Sequence, residues 1–171
     1  RDSSPKISLD GQRLYFVSDR QCSLGESDIW IATREDAEPG TPFTEVRLLD
    51  SGPVNSTERE RQVSISCDER IIVFHSYDRP GGIGGDDLWM AERPSAEDEF
   101  GEPVNLGPPV NTSVNDLAPH ISCSGLTIFF SDWWQDPRPG DTSGNSTIWA
   151  TTRPALDLPF EEPIQLHPSI E

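Results

Sequence analysis

Apolar and polar residues alternate along this chain in short runs separated by turn-forming stretches. Lys6 to Ser8 predicts a short strand, Asp10-Gly11 a turn, and "RLYFVS" (13–18) a second, alternating run rich in β-formers. Asp-Gly between two such runs signals a hairpin, because the tight turn needs residues that tolerate a left-handed backbone. "DIWIATR" (28–34) predicts a third strand. Successive side chains of a strand point to opposite sides, which puts Ile29 and Ile31 on one face and Trp30 and Ala32 on the other. A longer connection containing Pro and Gly leads to a fourth strand around 43–49.

The same unit then recurs. Ser8, Ser66 and Ser122 stand in "PKISLDG", "VSISCDE" and "PHISCSG", 58 and 56 residues apart. Trp30, Trp89 and Trp149 follow at spacings of 59 and 60, then Phe43, Phe100 and Phe160 in "TPFTEV", "DEFGEP" and "LPFEEP". Asn55 in "GPVNST" and Asn111 in "PPVNTS" close the first two units. Anchors in fixed order with insertions only between them mark a repeat architecture. The units run over about 1–57, 58–113 and 114–171. Asp68-Glu69 and Ser124-Gly125 replace Asp10-Gly11, which predicts turns of varying geometry. Four strands in a unit of about 57 residues match a β-propeller blade. The predicted fold is all-β: a β-propeller segment of three four-stranded blades, half of a six-bladed propeller.

In detail the units resemble the WD-repeat-like propeller repeats of the bacterial Tol-system (TolB-type) family. That family's pattern, roughly "P-x-I-S-x-D-G-x-x-L-x-F-x-S-D-R … G-G-x-D-I-W-x-A-x-R", is matched in unit one by Pro5, Ile7, Ser8, Asp10, Gly11, Leu14, Phe16, Ser18, Asp19, Arg20, Asp28, Ile29, Trp30, Ala32 and Arg34. Unit two matches from Ile65 and Ser66 through Asp87, Trp89 and Arg93. Unit three diverges: "FFSDWWQDPRPGDTSGNSTIW" loses the Arg and carries Thr147 in place of the Asp. The resemblance spans essentially the whole chain and implies an extracytoplasmic setting, periplasmic or secreted. It implies a fold more than a function, because propellers host binding modules and enzymes alike.

Composition narrows the partners. A hydrophobic fraction of 33% with 16 Pro and 13 Gly suits short strands joined by turns, and five Trp with seven Phe argue against disorder. The net charge of −17 speaks against nucleic acid and against an anionic membrane surface, both of which need basic protein. No apolar run approaches the ~18 residues of a membrane span. Cations, cationic proteins and neutral glycans stay open. Three Cys, an odd number, do not make a disulfide framework. Cys67 and Cys123 occupy matching places where unit one has Leu9, which predicts a small packing position, not a redox or metal site.

Candidate chemistry is sparse. Trp30, Trp89 and Trp149 predict packing between neighbouring blades, each burying ~200 Å², with a repeated ligand contact as the alternative. Trp133 and Trp134 stand outside the register in a long polar loop, as contacts for sugar or protein or as cover for a blade edge. Asp28 and Asp87 stand where a turn enters a strand and predict acceptance of local hydrogen bonds. His75 alternates within "IIVFHS" as a strand residue; His120 is a ligand-binding candidate facing the channel; His167 lies in the tail. No His-x-x-x-His, Cys-x-x-Cys or Gly-x-Ser-x-Gly pattern occurs. Asp2, Glu60 and Asp116 each precede the aligned Ser by six residues. There they form a ring of carboxylates around the channel able to hold a cation such as Ca²⁺, or each caps its own turn. No other cofactor is expected. Asn55, Asn111 and Asn145 open glycosylation sequons of the kind that Ser/Thr-rich turns generate.

The function these features predict is a non-enzymatic binding or scaffold module. It recognises protein or glycan through the loops Cys22 to Ser27, Gly81 to Asp86 and Trp133 to Asn145. The alternative is a glycan-active hydrolase or lyase, as among relatives of this fold; a hydrolase needs two carboxyls ~5–9 Å apart. Asp136, Asp141 and the ring acids are its candidates. Three blades do not close a circle, since closed propellers have four to eight. "LHPSIE" joined to "RDSSPKIS" resembles the internal junctions "VNSTERERQVSIS" and "VNTSVNDLAPHIS", so a homodimer completing a six-bladed ring is the predicted assembly, with a piece of a longer propeller as the alternative.

Overall fold

A computed structural model of the chain describes residues 1–49, 53–133, 138–139, 141 and 145–166. The regular elements among them are all strands. The first sheet holds β1 (Asp2–Ile7), β2 (Arg13–Ser18), β3 (Asp28–Thr33) and β4 (Glu45–Leu48). β5 (Arg59–Ile65), β6 (Ile71–Tyr77), β7 (Asp86–Glu92) and β8 (Val104–Asn105) form the second. β9 (Asp116–Ile121), β10 (Thr127–Asp132), β11 (Ile148–Thr152) and β12 (Ile164–Leu166) form the third. Each is an antiparallel meander in chain order, so the all-β expectation holds, with one sheet in each sequence unit. Among the described residues no helix is long and apolar enough to cross a membrane.

The alternation read from the sequence decides how the sheets stack. Tyr15, Val17, Ile29 and Ile31 on one face of the first sheet bury against Ile72, Phe74, Trp89 and Ala91 of the second. The opposite face of the second sheet, with Ile71, Val73 and Leu88, buries against Ile128, Phe130 and Trp149 of the third. One kind of face therefore meets the other kind twice. Phe16, Trp30 and Ala32 on the first sheet's other face form a separate small cluster with Leu14, Phe43 and Leu48. The three recurring tryptophans sit in the third strand of their sheets at 6, 5 and 8% exposure.

Two arginines per sheet hold these aromatics. Arg20, Arg79 and Arg138 stack over the pairs Phe16/Trp30, Phe74/Trp89 and Phe130/Trp149 at 4.9 to 5.6 Å. A guanidinium over an aromatic face gains from the ring quadrupole and is easier to desolvate than an ammonium. Arg138 corrects the sequence reading that unit three loses its arginine: it reaches the shared position from within a longer insertion. Arg34, Arg93 and Arg153 stack on Phe43, Phe100 and Phe160 at 4.9, 4.2 and 4.8 Å. Their Nε groups donate to the turn carbonyls of Gly11, Glu69 and Gly125.

Those turns share one geometry, contrary to the expectation that it varies. Gly11, Glu69 and Gly125 all adopt a left-handed backbone, with φ of 74°, 57° and 72°. Glycine does this without strain; Glu69 does it with its carboxylate held by Arg13 at 3.0 Å and by the Tyr15 hydroxyl at 2.6 Å. The aligned serines explain themselves here, since Ser8, Ser66 and Ser122 Oγ accept the N–H of Arg13, Ile71 and Thr127. Asn55 and Asn111 are buried and spend their amides across the third and fourth strands.

The reading of Cys67 and Cys123 as a packing position is also corrected: they form a disulfide. Stacking brings the equivalent turns of the second and third sheets together, with the two Cα atoms 4.5 Å apart, within the range a bridge requires. Cys22 is free and exposed.

Candidate functional site

The first strands of the sheets lie side by side, β5 packing on both β1 and β9. Each carries a bulge at a non-glycine residue with left-handed backbone: Ser4 (φ 52°), Gln62 (44°) and Ala118 (52°). Bulges re-aim side chains and backbone groups, and three in register shape one surface.

A cavity of about 630 Å³ opens over these bulges, lined by Ser4 and Ser27 of the first sheet, Arg59, Arg61 and His75 of the second, and Leu117 of the third. Of the acids on its wall, Glu26 pairs with Arg59, and Asp19 stands at the rim. Arg61 forms no ion pair among the described residues.

Register places Arg61 directly opposite His75 on neighbouring strands, and Tyr77 opposite Asp86. His75 is 3% exposed, and its Nδ1 accepts the N–H of Ala118 at 3.0 Å, tying the second sheet to the bulge of the third. The ring proton therefore belongs on Nε2. Nε2 lies 3.9 Å from Asp86 Oδ1, beyond hydrogen-bond length, and neither atom has a partner among the described residues. Burial, with the charge of Arg61 adding to it, lowers the His75 imidazole to about 3, so it is neutral at physiological pH and not a general base. Burial raises the Asp86 carboxyl above the ordinary range, opposed by the charge of Arg61.

The three acids expected to ring the channel are not gathered into a cation site. Asp2 pairs with Arg20 at 2.7 Å, Glu60 with Arg79 at 3.2 Å and Asp116 with Arg138 at 2.7 Å. Glu60 and Asp116 also accept the backbone N–H of Ser56 and Thr112, which is the capping alternative. None of the three lines the cavity. Each turns instead toward the arginine on its own sheet's aromatic pair, which supplies the charge a cation would have supplied. Among the described residues no three His, Cys, Asp or Glu side chains group to hold a metal.

The other sequence candidates scatter. Trp133 directly follows the third sheet's second strand at 43% exposure, while Trp134, Asp136 and His167 lie outside the described residues. Asp141 accepts hydrogen bonds from Thr147 and Gln165. Asp28 and Asp87 accept loop N–H groups of Leu24, Gly25, Ile83 and Gly84. His120 lines a second cavity of about 450 Å³ at the turn end of the first strands, with Lys6 and the Cys67–Cys123 bridge. Sequence reasoning passed over Arg61, read His75 as a strand residue and met Asp86 only as the end of a recognition loop. The signal was there: at those three places unit one has Ser3, Val17 and Ser27, and unit three has Leu117, Ser131 and Ser146. A charged set in only one of three repeats is not needed by the repeat fold.

No family model and no curated protein matches the chain. Among solved structures it is similar to the Hadza microbial sialidase Hz136, with a TM-score of 0.53 at 12% identity. The likeness covers 93% of this chain and 36% of that one, so the chain spans about a third of the sialidase's length. At that identity the similarity speaks for the fold alone.

Proposed function

We propose that the three sheets are consecutive blades of a β-propeller of the Tol-system repeat type, and that the chain is a non-enzymatic binding module. Protein or glycan ligands are recognised at the mouth of the 630 Å³ cavity, where the loop before β3 meets the bulged first strands. The carrying observation is that this cavity is walled by polar groups of adjacent sheets, with Glu26 held by Arg59 and Asp19 at the rim. A hydrolase needs two carboxyls flanking the glycosidic bond, and an acid held in an ion pair is poorly placed to serve as one, which favours binding over the hydrolase alternative. The extracytoplasmic setting is part of the reading; the Cys67–Cys123 bridge supports it, because disulfides persist in oxidising compartments.

A second copy completes the ring in this reading. The uncovered face of the first sheet, with Phe16, Trp30 and Ala32, is of the kind that packs inside the molecule against the opposite face of a preceding sheet. The third sheet offers that opposite face, with Phe129, Ile148, Ile164 and Leu166 at 39, 55, 64 and 37% exposure. Two copies related by a two-fold axis satisfy both faces twice. Screening the protein against glycan and peptide arrays tests the binding reading. Retention of a ligand family by the wild type, lost on blocking the cavity with Ser4→Trp, is the expected result; turnover of a bound glycan would favour the hydrolase.

A further inference from the structure

We propose that the cavity between the first and second sheets is a site for a carboxylate-bearing ligand, with Arg61 as its principal contact. The inference rests on the reading of this mouth as a binding surface and names the chemistry it takes.

Four observations converge. Arg61 lines the cavity, with Arg1 and Arg59, and makes neither an ion pair nor a side-chain hydrogen bond among the described residues, whereas Arg59 already holds Glu26. A guanidinium facing a cavity without a counter-ion presents a planar fork of donors that fits the two oxygens of a carboxylate. His75, on the same wall and cross-strand from Arg61, has Nδ1 spent on Ala118 and Nε2 turned to Asp86, so it presents no acceptor to the cavity. Gln62, which also lines the cavity, adds an amide. Finally, the Arg61, His75 and Asp86 set is confined to the second unit, whereas the arginines that hold the fold recur in all three.

The repulsion that an incoming carboxylate meets is limited. Glu26 is neutralised by Arg59, and Asp86 is buried behind His75 with its Oδ1 facing Nε2. Asp19 at the rim is the remaining charge of the wrong sign. A carboxylate carried on a sugar and one carried on an amino acid present the same two oxygens, so the carrier is for the test to distinguish.

Titration calorimetry of the full chain with glucuronate, N-acetylglutamate, glucose and inorganic phosphate supplies that test. One or both carboxylates should bind, glucose should not, and Arg61→Gln should weaken the carboxylate by at least about tenfold. Arg61→Lys, which keeps the charge but loses the fork, should fall between. Circular dichroism and the melting temperature check that each variant folds. Unchanged binding in Arg61→Gln, preference for phosphate, or no heat from either carboxylate at millimolar concentration overturns the proposal. The array result decides the broader binding reading separately: a ligand retained there without carboxylate binding sinks this inference alone.

Discussion

Each recurring residue of this chain answers a local physical need, and the acid–arginine pairs show it best. Glu60 is fully buried, and its carboxylate is held by Arg79, Ser56 and Ser76. Burial raises that carboxyl above the ordinary range, with the hydrogen bonds and Arg79 opposing it. Replacing Arg79 with Met should therefore strand a buried acid and uncover Phe74 and Trp89, costing roughly 3–5 kcal/mol in urea denaturation. Trp89→Ala should cost a similar ~3–5 kcal/mol, as large-to-small core changes do. His75 sets a pH dependence of definite sign. Its folded value near 3 lies below the ordinary 6.5, so the unfolded chain takes up the proton first. Its contribution is whole above pH 6.5 and is lost as pH falls toward 3, while Asp86, raised by burial, works against it. His75→Gln, whose amide oxygen can still accept from Ala118, should flatten the melting temperature between those limits; an unchanged slope would remove His75 from the account. The anchors Ser, Trp, Phe and Asn were legible because repetition exposes them. Arg61, His75 and Asp86 were not, because a single charged residue in a β-run reads as surface until the register shows what it faces.

Among the elements, the strands were legible from alternation, and "RLYFVS" coincides with β2. The bulges were not, since a left-handed Ser4, Gln62 or Ala118 leaves no signature in residue type. The turn at Glu69 was misread for a related reason. Its conformation is held by contacts to Arg13 and Tyr15 of another sheet, which are long-range. The disulfide was missed on the same ground: only the stacking of sheets brings turns 56 residues apart into bonding distance. In the chain-entropy account a bridge of that span contributes about 4 kcal/mol. Reduction, or the double change Cys67→Ser with Cys123→Ser, should lower the melting temperature clearly, and reduction should raise the thiol titration from one reactive group to three. Three free thiols in the untreated protein would remove the bridge.

At the scale of the whole molecule, the account turns on two faces of opposite kind left uncovered at the two ends of the stack. An apolar hollow of about 310 Å³ on the first sheet, floored by Phe16 and flanked by Leu14, Phe43 and Val46, lies on the kind of face that in the second and third sheets packs Trp89 and Trp149 against a neighbouring sheet. A stable interface buries more than about 1,200 Å². The direct measurement is the mass of the chain in solution, by light scattering at micromolar concentration, for the wild type and for Phe16→Glu and Ile148→Glu. Twice the 19.0 kDa chain mass in the wild type, falling to the single mass in either variant, is the predicted result. A folded wild-type monomer at that concentration, or a dimer indifferent to both changes, would contradict it.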